Sequence, residues 1–146
     1  MRTDELTPDW LTPEWLSAVL DADVSAVRSE RIGDGLVGLN LRVAIESSDE
    51  GAPSSVVIKL PSLDEMSRAT GVALRNYERE VKFYDQIAST VDIRVPHCHH
   101  GNWNEATGDF VLVLEDMAPA AQGDQVAGCD VETARAAVVE LARLHA

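Results

Sequence analysis

The chain has 146 residues, is 45% hydrophobic and 25% charged, and carries a formal charge of −13. That is ordinary globular composition with enough chain for a real core. The acidity excludes nucleic acid as a natural partner and requires any phosphate ligand to be held by local donors against a repulsive field. Cys98 and Cys129 make no disulfide framework, and no stretch reads as a secretion signal or as a membrane span of about 18 apolar residues. The expectation is a cytoplasmic protein with no membrane partner.

Thr12-Pro13-Glu14 starts a helix, with Thr12 as N-cap and Pro13 at the first helical position. The helix is expected to run to about Leu20, where Asp21-Ala22-Asp23 breaks it. Residues 24–32 read as a strand. Gly33, Gly35 and Gly38 then form a G-x-G-x-x-G loop, and from its end onward Val37, Leu39, Leu41, Val43 and Ile45 alternate with polar Asn40, Arg42 and Glu46. Period-2 alternation is a half-buried strand. A dinucleotide-binding loop would open a helix; this one joins two strands, as a loop covering nucleotide phosphates or a plain hairpin turn would.

After a polar connection, Val56-Val57-Ile58-Lys59-Leu60 reads as a strand that is apolar on both faces apart from Lys59, one of two lysines in the chain. An unpaired buried ammonium is costly, so Lys59 calls for an anionic partner unless it snorkels to water. Residues 62–89 read as helix, interrupted near Gly71. Ala73, Tyr77, Glu80, Tyr84 and Ile87 share one face, widened by Leu74, Val81 and Ala88. Glu80 is thus a carboxylate in an apolar stripe and the natural partner of Lys59, either as part of a site or as a structural salt bridge. Glu78 lies about 160° from it and should face away.

Residues 93–100, 101–109 and 110–115 read as strand, turn and strand. His97-Cys98-His99-His100 invites a metal reading, but alternation leaves at most two of these side chains on one face, and no second cluster completes a site. Glu115-Asp116-Met117 leads into a linker. Asp130 N-caps a last helix in which Val131, Ala134, Val138, Leu141 and His145 form a stripe.

In this order the chain resembles the N-terminal lobe of the aminoglycoside phosphotransferase and choline kinase-like family, close to its ecdysteroid-kinase-like branch. The resemblance is carried by Val57-Ile58-Lys59, the run from Tyr77 through Glu80 to Tyr84, Val95-Pro96, the run from Phe110 to Met117, and Glu140-Leu141-Ala142-Arg143-Leu144-His145-Ala146. It implies an α+β lobe with a protein-kinase-like fold, in which a five-stranded antiparallel sheet packs against the Glu80 helix. Lys59 would contact the α- and β-phosphates of ATP, held by Glu80. The backbone of Gly33, Gly35 and Gly38 would lie over them. Val113 would stand behind the adenine, and the Glu115 carbonyl and Met117 amide would read its edge. Asn40 departs from the family, which places a valine there.

The family's His-Gly-Asp loop, downstream Asn and metal-binding Asp have no counterpart among these residues. The resemblance therefore implies a nucleotide-binding lobe over 1–117, a linker over 118–129, and over 130–146 the first helix of a catalytic lobe the chain does not carry. ATP, magnesium and a small-molecule hydroxyl acceptor would belong to the whole enzyme, with the magnesium ligands in the other lobe. The uncovered final helix would be prone to self-association. A non-catalytic regulatory lobe and a plain structural domain remain open alternatives.

Overall fold

The computed structural model describes residues 7–33, 37–124 and 126–145. Five strands form one antiparallel sheet: β1 (Val24–Arg31), β2 (Gly38–Ser47), β3 (Ser55–Pro61), β4 (Cys98–Trp103) and β5 (Phe110–Glu115), in the order β1-β2-β3-β5-β4. The helices are α1 (Pro13–Leu20), α2 (Glu65–Ala73), α3 (Asn76–Lys82) and α4 (Val131–Leu144). The chain is an α+β protein. Among the described residues no helix is long and apolar enough to cross a membrane.

The Thr12 side chain accepts the Trp15 amide at 3.2 Å, and the helix stops at Asp21 in the left-handed region. Leu16 points into the sheet and is fully buried. It meets Leu41, Val43, Val56, Ile58 and Val113 in the main core. Helix α1 touches both edge strands, β1 and β4, so the sheet curls around it. Trp15 packs edge-on against His100 at 6.0 Å on the β4 side.

Among the described residues, the opposite face is covered chiefly at its β4–β5 end. There Tyr77 of α3 stacks on Phe110 at 4.5 Å, and Leu112 and Leu114 complete a smaller core. The strand carrying Lys59 is therefore not buried on both faces. Val56, Ile58 and Leu60 lie under α1, while Val57 and Lys59 are half-exposed on the other side. This corrects the sequence expectation: α1 covers one face of β3, while on the other face the apolar packing of α3 is with β4 and β5.

The expected long helix is two helices joined at a bend. Arg75 takes a left-handed conformation (φ 56°), and α3 continues into a π-helical turn, Phe83–Ile87, and a 3-10 turn, Ala88–Thr90. The break turns Ala73 and Leu74 outward, and Ile87 is exposed as well, so the long apolar stripe holds only from Tyr77 to Tyr84. Gly71 is buried where a Cβ would strike the Tyr77 ring, which explains a glycine inside α2.

Strand β4 starts at Cys98 and extends through Trp103, later than expected, with a register shift between Cys98 and His100. Its histidines separate: His97 and His99 pack edge-to-face at 4.7 Å, and His100 goes to Trp15. Asp130 caps α4 through the Thr133 amide at 2.7 Å, as its sequence indicates. Val131, Val138 and Leu141 of that helix are exposed.

Candidate functional site

The strand register organises the half-open face into rows. Asn40 pairs with Lys59, and Lys59 with Leu112; two residues along, Arg42 pairs with Val57, and Val57 with Leu114. Adjacent rows on one face are about 6.7 Å apart.

In the first row Lys59 donates to the Glu80 carboxylate in direct contact, as the sequence predicted. Both side chains are about one-third exposed or less, at 28% and 32%. Tyr77 sets the phase of α3 that brings Glu80 there: its hydroxyl donates to the Val37 carbonyl and accepts from the Ser62 amide. One aromatic ring thus ties the helix to Val37, next to the last glycine of the loop, and to Ser62, just beyond β3. Burial, and next the Glu80 carboxylate, push the Tyr84 phenol up to about 12.

Glu78 does face away from Lys59, but it is not solvated. It is 5% exposed and accepts from Arg75 Nε at 2.6 Å, Arg75 Nη2 at 2.6 Å and Lys82 Nζ at 2.6 Å. The Arg75 and Lys82 hydrogen bonds pull its carboxyl down to about 2. Two neighbouring acids on one helix are therefore each satisfied by different cations.

The second row forms the floor of a hollow of about 460 Å³. Arg42, Val57 and Leu114 line it with Gly33 on one side and Glu115, Asp116 and Met117 on the other. Gly33 has φ +65°, and a Cβ there would lie 3.2 Å from Gln122 Oε1, so the base of the glycine loop closes against the chain after β5. Gly38 opens β2 opposite Pro61. Gly35 lies outside the described residues. Asn40, where the resemblance implies a valine, stands opposite Lys59, and its Oδ1 has no hydrogen-bond partner among the described residues.

Val113 does not face this hollow. It pairs with Ile58 and is fully buried under α1. Leu114 lines the hollow in its place, because alternation along β5 puts 112 and 114, not 113, on the Lys59 face. Met117 lines the hollow, and its carbonyl accepts the Ala120 amide at 2.9 Å. The Glu115 carboxylate binds Arg94 at 2.6 Å and the His97 amide at 2.9 Å, and those hydrogen bonds lower its pKa.

Sequence reasoning missed the polar clamp at the rim. Asp116 accepts from Arg42 Nε at 2.7 Å and Nη2 at 3.2 Å, from Ser55 Oγ at 2.8 Å and from the Ala118 amide at 3.0 Å. Burial alone would raise its pKa; the hydrogen bonds from Arg42 and Ser55 outweigh that and hold it below the usual range. The available signal was the shared parity of Asn40 and Arg42 on β2, which puts both on the half-open face.

A second hollow, of about 580 Å³, lies between Trp10, Leu39, Leu60 and Phe110 and holds none of the expected site residues. Comparison of the chain with family models, with curated proteins and with solved structures finds no match.

Proposed function

We propose that this chain is the nucleotide-binding lobe of an ATP-dependent phosphotransferase acting on a small-molecule hydroxyl. The observation that carries the reading is the Lys59–Glu80 ion pair, one strand row from a hollow bordered by the glycine loop and by residues 115–117. In this arrangement a purine lies against Val57 and Leu114, with the backbone of Glu115 to Met117 along its edge. The row spacing of about 6.7 Å carries the α- and β-phosphates toward Lys59. Gly33, at the base of the glycine loop, borders the same hollow.

Glu80 orients the ammonium, so that the lysine meets the phosphates as a fixed cation. Lys59 alone does not offset a triphosphate on a protein of net charge −13. Magnesium would supply the remaining neutralisation, from ligands this chain does not provide. Phosphoryl transfer needs that metal and a group to accept the hydroxyl proton. The chain by itself is a binding lobe. The exposed stripe of α4 supports self-association as its way of covering Val131, Val138 and Leu141.

Calorimetric titration with Mg-ATP tests the reading, with Lys59→Met as control and a phosphate-release assay over hydroxylated small molecules. Weak binding that disappears in the variant, with no turnover, is expected. Absence of ATP binding, or binding indifferent to Lys59, overturns it.

A further inference from the structure

Arg42 contributes to the hollow in a way that ion pairing with Asp116 does not exhaust. We propose that Arg42 is a specificity-determining residue of the hollow, its guanidinium providing a flat wall on which a purine base stacks. This rests on the nucleotide reading above.

The guanidinium is held at both ends. Its Nε and Nη2 grip Asp116 as a fork, and Nη1 lies 3.6 Å from Glu30, the cross-strand neighbour on β1. Asp116 is saturated in turn by Ser55 and the Ala118 amide, and its side chain is only 5% exposed. That carboxylate has no capacity left for a ligand. Nε and Nη2 each donate to Asp116 and Nη1 faces Glu30, so the charge of the guanidinium is countered along its edges and its faces are left to offer. Arg42 shares a row with Val57 and Leu114, and all three line the hollow.

A planar, weakly hydrated cation fixed beside two aliphatic side chains suits an aromatic ring and not a phosphate. Its charge is already balanced by Asp116, so it adds little attraction for the triphosphate. Lys59 handles the phosphates and Arg42 the base, in separate rows of one sheet face. The clamp also sets the course of the chain after β5, because the same carboxylate holds the Ala118 amide.

The test separates base from phosphate. Mg-ATP and magnesium tripolyphosphate, which has no base, are titrated into the full chain, into Arg42→Lys and into the double variant Arg42→Met with Asp116→Asn. The lysine variant retains a cation but loses the flat fork, and the double variant leaves no buried carboxylate without a partner, since Glu30 is exposed. Stacking predicts that the ratio of ATP to tripolyphosphate affinity falls roughly fivefold in the lysine variant and on the order of tenfold in the double variant. A ratio equal to that of the wild type in both variants overturns the proposal, while Lys59-dependent phosphate binding leaves the nucleotide reading standing. No binding of either ligand by the wild type overturns both.

Discussion

Lys59 of β3 and Glu80 of α3 meet on the half-open face of the sheet, and the phase that brings them together is set by Tyr77, one turn earlier on the same helix. The pair is partly exposed, so its contribution to stability is small, within about 1 kcal/mol. Its consequence for a phosphate ligand is larger. Lys59→Met and Glu80→Gln are expected to leave the urea midpoint nearly unchanged while lowering Mg-ATP affinity about tenfold or more. Parallel loss of stability and of affinity would make the pair structural.

Val113 and Leu114 are neighbours on β5 with opposite duties. Val113→Ala removes packing under α1 and should cost about 1–3 kcal/mol, read by chemical denaturation, with nucleotide affinity preserved. Leu114→Ala should weaken nucleotide binding as well, because its side chain lines the hollow. A reversed pattern would place the base on the other face of the sheet.

Gly71 touches Tyr77, and the substitution Gly71→Ala forces the ring aside. Overpacking of this kind costs about 1–3 kcal/mol. Since the same ring carries the hydrogen bonds to Val37 and Ser62, Lys59-dependent binding should fall with stability. A variant as stable as the wild type would show that α2 can shift without disturbing α3.

Glu78 gives a pH signature. Its carboxyl is pulled down to about 2 by Arg75 and Lys82, so the folded state holds it ionised more firmly than the unfolded state does. A lowered folded pKa means stability that is complete above the unfolded value, near 4.5, and is lost as pH falls toward 2. The wild type should be more stable than Glu78→Gln at neutral pH, with the difference shrinking across that interval. Urea melts at a series of pH values would show it; a difference independent of pH would mean that Glu78 acts by packing alone.

Several elements were legible because their causes are local. Thr12 and Pro13 start α1, Asp130 starts α4, and the alternation from Leu39 to Ile45 makes β2 a strand with one buried face. Lys59 stood out because a single cation interrupts an apolar strand, and Glu80 because a single acid interrupts an apolar helix face.

By itself, then, the sequence determined α1, β1, β2, β3, β5 and α4, the order of strands and helices, and the pairing of Lys59 with Glu80, all of which follow from periodicity, capping and the cost of an unpaired charge. The tertiary structure decided which face of β3 α1 covers, that the helix bends at Arg75, that Glu78 is enclosed between two cations, and that Leu114 and not Val113 looks into the hollow. The physical reason is the same in each case. Alternation says that a strand has two faces, but only its register against strands distant in sequence says which residues share one. The Arg42–Asp116 clamp spans 74 residues, and no local pattern encodes a hydrogen bond made only after five strands have paired.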